Sequence, residues 1–449
     1  MYCRHLQLDD FRNYRHVELA LAPGISVFQG ENASGKTSLL EAIYLLATGR
    51  SPRTSAEVEL INQTADSYPG TPPFARIVAE VDRQRGRLQV QMILAREEAR
   101  LADPPSALTR KRITINGVAR RAVDLIGAVN VVLFTPQDLD LVVGEPALRR
   151  RYLDITIAQV DHRYVRTLGH YNKLLLQRNA LLRSIRDQGR SPRARDVQDE
   201  LRYWDEELAQ AGAYLILRRE SFVGRMTLLA AAEHRELAAG SFGEASAGLE
   251  IGYESAVAPA ARVALAPHLA AHWASVQTDA AHADPEQEVE DIILRARIPH
   301  VEQRVTQIAT ELLTQLVAAR AHEVRRGVSL IGPHRDDLRL RLGGQSLAAY
   351  GSRGQQRTAV LALKLAEVAL MRAETGETPI LLLDDILSEL DSRRRQFLVH
   401  TLTRPLTGLD RPPQVLITTT DWNNFDPGFL AHVARHEIAQ GTVAAGAAS

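Results

Sequence analysis

The sequence predicts an α/β nucleotide-binding fold interrupted by a mainly α-helical second lobe. Gly30 to Thr37 reads GENASGKT, a phosphate-binding loop. Ile380 to Leu383 is an unbroken apolar run ending in Asp384 and Asp385. That is the pattern of a parallel strand buried on both faces, with carboxylates at the carboxyl end where such sheets place ligand chemistry. Between them, from about 150 to 322, the apolar spacing turns helical. The expected organisation is 1–148 as the N-terminal part of the nucleotide lobe, 149–322 as the helical lobe, and 323–449 as the C-terminal part.

The first part reads in order as follows. Residues 5–9 and 17–21 alternate and predict a strand pair. Ile25 to Phe28 is a strand entering the phosphate loop, and Ser38 to Leu46 the helix leaving it. Gly30 and Gly35 allow backbone N–H groups of Ala33, Ser34, Gly35, Lys36, Thr37 and Ser38 to crowd round a phosphate at the positive end of that helix. Lys36 would reach the β/γ-phosphates of ATP, and Thr37 would offer a hydroxyl to Mg²⁺. Ala75 to Leu94 is a hairpin folded at Gln84-Arg85-Gly86, and Asn116-Gly117 marks a second tight turn. Residues 95–109, with Pro104-Pro105, read as a loop. Val131 to Phe134 is a further strand, followed by Thr135-Pro136-Gln137-Asp138.

In the middle part, Tyr164, Leu168, Tyr171, Leu175, Leu182 and Ile185 follow 4–3 spacing, interrupted by Arg178. Val197 to Phe222 repeats the pattern after a Gly/Pro/Arg turn, so an antiparallel pair of helices of about 30 residues is expected. Each would span ~45 Å, a packed lobe rather than a long arm. Residues 229–285 are Ala-rich and read as loops and short pieces. A third helical run, Val301 to Ala319, follows Pro299, and strands return around Leu338 to Leu342.

The last part holds Ser352-Arg353-Gly354-Gln355, an S-x-x-Q capping box opening a helix from Thr358 to Arg372 that breaks at Gly376. A helix start with a serine hydroxyl, free N–H groups and an arginine is an anion site. About 30 residues ahead of an acidic strand, and in a chain with a phosphate loop, it matches the signature of ATP-binding-cassette (ABC) ATPases. There the signature contacts the γ-phosphate held by the opposite subunit, which predicts a site completed by a second copy of the chain. Asp384 is assigned to the Mg²⁺ shell and Asp385 to polarising the attacking water. Ser388 to Asp391 resembles the D-loop that crosses the dimer seam in that superfamily.

Lys+Arg and Asp+Glu balance at 54 each, so no global charge draws the chain to nucleic acid. One cysteine, Cys3, excludes an internal disulfide framework, and the 14 histidines pair with no cysteine in a zinc-like spacing. With no targeting signal and no apolar run of 18 residues, a cytoplasmic protein without a membrane span is expected. Charge is nevertheless segregated: Arg149 to Arg195 holds twelve Lys/Arg against three acids. The run is either a solvated face or a phosphate-backbone track.

Taken together, the motifs resemble the RecF family of bacterial recombination-mediator ATPases. The matching strings are Phe11-Arg12-Asn13-Tyr14, GENASGKT followed by Leu40-Glu41-Ala42-Ile43, Gly49-Arg50-Ser51 and Gly144-x-Pro146 with Arg149-Arg150 and Leu153-Asp154. Gln177-Arg178-Asn179-Ala180, Gly332 to Asp337 (GPHRDD), SRGQQR and LLLDDILSELD complete the set. The resemblance implies an ABC-type head related to structural-maintenance-of-chromosomes ATPases but without their long coiled coil. It further implies an ATP-dependent homodimer on double-stranded, gapped or junction DNA, and cooperation with RecR and RecO in loading the recombinase. Arg12 and Asn32 would lie near the nucleotide, and Ser352 on the partner's γ-phosphate. Thr419 or Thr420 follows the strand Val415 to Ile417 where many ABC proteins carry a switch histidine. Gln137 stands where the family usually has glutamate and would act on Mg²⁺ or its water. The carboxylates of GPHRDD either tie the strand pair to the signature helix or touch ligand. A transporter's nucleotide-binding subunit would share the motifs, but there loop and signature lie far closer than the roughly 315 residues between Lys36 and Ser352. A chromosome-structural ATPase would need longer arms.

Overall fold

The computed structural model describes residues 1–66, 72–98, 107–238, 248–257, 300–390, 392–403 and 412–445. The centre of the loop expected at 95–109, most of the Ala-rich stretch, the acids of 286–291 and Asp391 lie outside them. The chain divides into two compact units, Met1–Asp138 with Glu374–Ser449, and Leu139–Ala373. The divisions fall at 138/139 and 373/374, not at 148/149 and 322/323. Strand pairing and helix packing described below draw residues 323–373 into the helical unit.

In chain order the elements open with β1 (Tyr2–Phe11), β2 (Tyr14–Ala20), β3 (Ile25–Gln29) and α1 (Lys36–Thr48). Then come β4 (Phe74–Arg83), β5 (Gly86–Glu98), β6 (Ala107–Ile115), β7 (Val118–Arg120), α2 (Ala122–Leu125) and β8 (Val131–Phe134). The second unit contains α3 (Asp140–Val143), α4 (Pro146–Val160), α5 (His162–Asp187), α6 (Arg195–Ala238) and β9 (Leu249–Glu254). It continues with α7 (Val301–Arg326), β10 (Asp337–Leu342), β11 (Gln345–Ser346), α8 (Leu347–Tyr350) and α9 (Arg353–Thr375). The chain then returns through β12 (Ile380–Asp384), α10 (Ser392–Thr403), β13 (Val415–Thr419), α11 (Pro427–Leu430), β14 (Ala434–Ala439) and β15 (Thr442–Ala445).

The first unit holds two six-stranded sheets. One is antiparallel, in the order β2-β1-β4-β5-β6-β7. Its alternation buries Leu6, Leu8, Val17, Leu19, Ile77, Ala79, Val90, Met92 and Ile113 on one face, the expected signature of a half-solvated sheet. Both expected hairpins form, at Arg83↔Gly86 and at Ile115↔Val118, with Asn116 and Gly117 both left-handed as a type I′ turn requires. The strands reach into the region expected as a loop, to Glu98 and from Ala107. Apolar alternation through Leu94 had masked that continuation, because the charged end of β5 carries no apolar signal.

The other sheet has the order β15-β14-β3-β13-β12-β8, parallel from β14 to β8. Ile380 to Leu383 are buried, as the unbroken apolar run requires. β3 is central, so the phosphate loop leaves it at its carboxyl end, beside the ends of β13 and β12.

The second unit packs α5, α6 and α7 around Leu182, Ile185, Val197, Leu201 and Val324. α6 has 44 residues, about 66 Å of helix, rather than the 30 expected. Residues 229–238 of the Ala-rich segment are its continuation: alanine is the strongest helix former, and Leu229, Ala230, Leu237 and Ala238 extend the buried stripe. β9, also in that stretch, pairs antiparallel with β10.

Arg178, which breaks the apolar spacing of α5, is fully buried. Its guanidinium meets Asp205 at 2.7 Å and Glu323 at 2.6 Å, and Arg320 donates to the second oxygen of Asp205 at 2.7 Å. Asn179 accepts from the backbone and hydroxyl of Ser329. QRNA is thus an internal cross-brace. GPHRDD is another: Arg149 grips Asp337 with two bonds of 2.7 and 2.9 Å, Tyr253 donates to Asp336, Tyr171 bonds His334, and Arg219 donates to Pro333 O. Its carboxylates tie β10 to α4 and β9, not to the signature helix, because those elements carry the complementary donors.

Replacing Arg178 by Met leaves buried carboxylates without their shared cation, and the expected cost is about 3–5 kcal/mol. Thermal unfolding should show a clearly lowered midpoint; a shift within about 2 °C would mean the brace is dispensable.

Candidate functional site

The phosphate loop and the acidic strand form one cleft of about 640 Å³ in the first unit. Its wall contains Asn32, Ala33, Gly35, Lys36, Thr37, Ser38, Asp384 and Asp385, together with Arg12 and Asn13. Gly35 sits at φ 121°, and a Cβ there would meet Asn13 Nδ2 at 2.7 Å and Tyr14 Oη at 2.8 Å. Only glycine allows the loop to turn this close to its neighbour. Lys36 Nζ donates to Gly30 O at 2.7 Å and Glu31 O at 2.8 Å. Desolvation lowers the Lys36 pKa, against the opposing pull of Asp385 and Asp384.

Three segments far apart in sequence hold the loop from behind. Asn13 donates to Ser34 O at 2.8 Å and Tyr14 to Gly35 O at 3.0 Å. Gly441 N, in the β14–β15 turn, donates to the same Ser34 O at 3.2 Å. Arg12 grips Glu41 of α1 through two bonds of 2.9 and 2.8 Å and donates to Glu59 O. The Ser51 hydroxyl donates to Glu41 from the other side, just past the left-handed cap at Gly49. FRNY, the glutamate of LEAI and the serine of GRS are therefore one clamp on the loop and the first turns of α1. Arg12 lines the cleft, as expected of a residue near the nucleotide, while its guanidinium is bound to Glu41.

At the carboxyl ends of the parallel strands, Thr37 Oγ1 donates to Asp384 Oδ1 at 2.9 Å, so the two residues assigned to Mg²⁺ are in direct contact. A second donor, Thr418 Oγ1, reaches the same oxygen at 2.8 Å. Asp385 follows in the left-handed region, φ 50° and ψ 20°, and its N–H donates to Thr418 Oγ1 at 3.0 Å.

The donor set suits a magnesium nucleotide: a hydroxyl and a carboxylate already touching, and a buried lysine beside them. Of the predicted loop residues, Gly30 and Ser34 are not in the cleft wall. Gln137 is exposed on a single 3₁₀ turn, Pro136–Leu139, and is not in the cleft wall. Ser352 and Gln355 form the expected reciprocal capping box, Ser352 N to Gln355 Oε1 at 2.8 Å and Gln355 N to Ser352 Oγ at 3.2 Å. Together with Arg353 and Gly354 they belong to the second unit. Thr419 is not outside the strand but in it, with its hydroxyl donating to Asp421 O. Thr420 contributes its carbonyl to Gln29.

Sequence reasoning missed Thr418, although register supplied the signal: it lies directly opposite Asp384 in the β12–β13 pair. It also missed the cleft wall formed by Arg15, Arg53, Glu59, Asn62, Gln63 and Thr64, which belong to no motif.

Gly441→Ala tests the clamp. At φ 76° its Cβ would fall 2.4 Å from Asn13 O, which forces the FRNY turn off the loop. Nucleotide-analogue affinity is expected to fall about tenfold, some 1.4 kcal/mol, with little change in the stability of the second unit. Unchanged affinity would separate the β14–β15 turn from the site.

Comparison with known proteins agrees with this geometry. Residues 2–428 match the RecF/RecN/SMC N-terminal domain family. The DNA replication and repair protein RecF of Chloroflexus aurantiacus is 45% identical over 446 residues, covering 99% of this chain and 100% of that protein. RecF of Roseiflexus castenholzii is 43% identical over 98% and 99%. The solved recombination mediator protein RecF–ATP of the RecFOR pathway superposes with a TM-score of 0.75 at 26% identity, covering 99% of this chain and 98% of that one. The chain belongs to the RecF family.

Proposed function

We propose that the protein is an ATP-dependent DNA-binding protein of replication and recombinational repair, which dimerises around two ATP on gapped or junction DNA and hydrolyses them slowly as a switch. The observation that carries this is the hydrogen bond between Thr37 and Asp384, which joins the phosphate loop to the acidic strand. The ATP named for the solved relative and the repair role named for the curated relatives support it. Cooperation with RecR and RecO rests on the family resemblance and on the RecFOR pathway named for that relative.

In this reading the loop N–H groups and the α1 N-terminus hold the phosphates, and Lys36 turns from the Gly30 and Glu31 carbonyls to the β/γ-phosphates. Mg²⁺ bound by Thr37 and Asp384 would neutralise charge on the phosphates. Asp385 accepts a hydrogen bond from the attacking water and orients it. Gln137 would join this site only if its 3₁₀ turn moved. The capped helix start at Ser352 serves the nucleotide of a second copy. Among the described residues, no helix is long and apolar enough to cross a membrane.

The basic run from Arg149 to Arg195 is narrower as a DNA track than its charge implies. Arg149 and Arg178 are buried with carboxylates, and Arg190 is bound by Asp196 and Glu200. Arg186 is paired with Asp187, so the better candidates are exposed Arg183, which packs against Gly327, and exposed Arg325 and Arg326 beside it.

Size measurement of the protein with and without ATP and gapped DNA tests the reading: a dimer is expected only with ATP. Lys36→Ala is expected to abolish productive ATP binding, while Asp385→Asn binds ATP and traps the dimer. A mixture of Lys36→Ala with Ser352→Arg should recover ATPase activity, because one composite site stays intact; two inert partners giving an inert mixture, despite mixed dimers, would exclude sites completed in trans. Changing Arg183, Arg325 and Arg326 to Gln is expected to weaken binding to all DNA sequences and flatten the salt slope by about one unit per lost contact. An unaltered slope would show a solvated face.

A further inference from the structure

We infer that Thr418 is a positioning residue that sets both aspartates of the cleft, an inference that rests on the nucleotide-hydrolysis reading above. Thr418 is 1% exposed on the central strand β13, directly opposite Asp384. A hydroxyl has one proton to give and two lone pairs to receive. The proton goes to Asp384 Oδ1 at 2.8 Å; Leu383 O, at 3.4 Å, is the weaker alternative. A lone pair receives the N–H of Asp385 at 3.0 Å. One buried oxygen therefore addresses two consecutive residues, and the two effects differ.

The first effect concerns the metal ligand. Asp384 Oδ1 accepts from Thr37 and from Thr418, so the carboxylate is held between the first turn of α1 and the end of β13. The second concerns the backbone. Asp385 adopts φ 50°, a conformation that costs a residue with a Cβ about 1–2 kcal/mol. Hydrogen bonding of its N–H to Thr418 offsets part of that cost and fixes where the chain turns after β12. Consecutive strand residues point to opposite faces, so only such a turn lets Asp384 and Asp385 both line one cleft. Thr418 is thus the residue that makes the pair of aspartates a pair. The neighbouring Thr419 cannot replace it: it is engaged with Asp421, and it points to the other face of the strand.

Thr418→Val keeps shape and strand propensity and removes only the hydroxyl; Thr418→Ser keeps the hydroxyl and removes the methyl. The probe is a non-hydrolysable ATP analogue, titrated with Mg²⁺ present and in excess EDTA, alongside hydrolysis as a function of Mg²⁺. For Thr418→Val the gain in analogue affinity conferred by Mg²⁺ is expected to shrink about tenfold and half-saturating Mg²⁺ to rise about tenfold, as for a lost hydrogen bond to a charged group. Affinity in EDTA should stay within about twofold, and Thr418→Ser within about threefold of the parent throughout. If Thr418→Val does not fold, Thr418→Ala carries the same expectation. An undiminished Mg²⁺ effect in Val or Ala overturns the inference, as does a Ser variant no better than Val, which would assign the role to packing. A parent protein that binds no analogue under any condition would instead overturn the nucleotide reading itself.

Discussion

A phosphate loop works only if its N–H groups already converge before a phosphate arrives, and the loop enforces only part of that by itself, through Lys36 on the Gly30 and Glu31 carbonyls. The carbonyls nearer α1 have partners outside the loop. Here Ser34 O receives Asn13 and Gly441, and Gly35 O receives Tyr14, so the opposite edge of each peptide is turned toward the cleft. The partners come from two strand pairs, Asn13 and Tyr14 from β1–β2 and Gly441 from β14–β15. Formation of the site therefore waits on the antiparallel β1–β2 turn and on the β14–β15 turn, some 400 residues apart in sequence. Preorganisation of this kind removes ordering cost from ligand binding.

The same logic explains the buried charges. Glu41 on α1 is covered completely, and it is tolerable there because Arg12 and Ser51 satisfy its oxygens. In the second unit Arg178, Asp205, Glu323 and Arg320 form a closed set on α5, α6 and α7. A paired set of buried charges fixes geometry more than it adds stability, since any slip of one helix leaves a charge uncompensated. Long helices held only by Leu and Ala can shift register; these are pinned by their charges.

Much of this was legible in the sequence. Gly30 to Thr37, the buried strand ending in Asp384, both hairpins and the Ser352 capping box form as residue chemistry dictates, because each is a local pattern with a short-range cause. What was not legible depends on partners distant in sequence. Arg178 reads as an interruption until Asp205 and Glu323 close on it. Thr418 reads as strand filler until β12 is laid beside β13. Alanine-rich sequence after 229 lacks contrast between faces, so the continuation of α6 could be told only from the packing of Leu229 and Leu237. Charge misleads for a related reason: counting Arg149 to Arg195 includes arginines whose carboxylates lie up to about 190 residues away, as Asp337 does for Arg149.

Those pairings explain the strings that carry the family resemblance. In FRNY, LEAI, GRS, QRNA and GPHRDD the charged and aromatic side chains bond chiefly to the protein itself. Beside the groups assigned to the nucleotide, namely Lys36, Thr37 and the two aspartates, the cleft wall also holds polar side chains of no motif, such as Arg15, Arg53 and Gln63. Many groups bonded to each other make the shape of the cleft cooperative: loosening one bond loosens its neighbours. Release of Asp384 from Thr37, or of Ser34 O from its two donors, would be felt at once in β12, β13 and the β1–β2 turn. The cleft is therefore joined to both sheets by the bonds that hold it in shape.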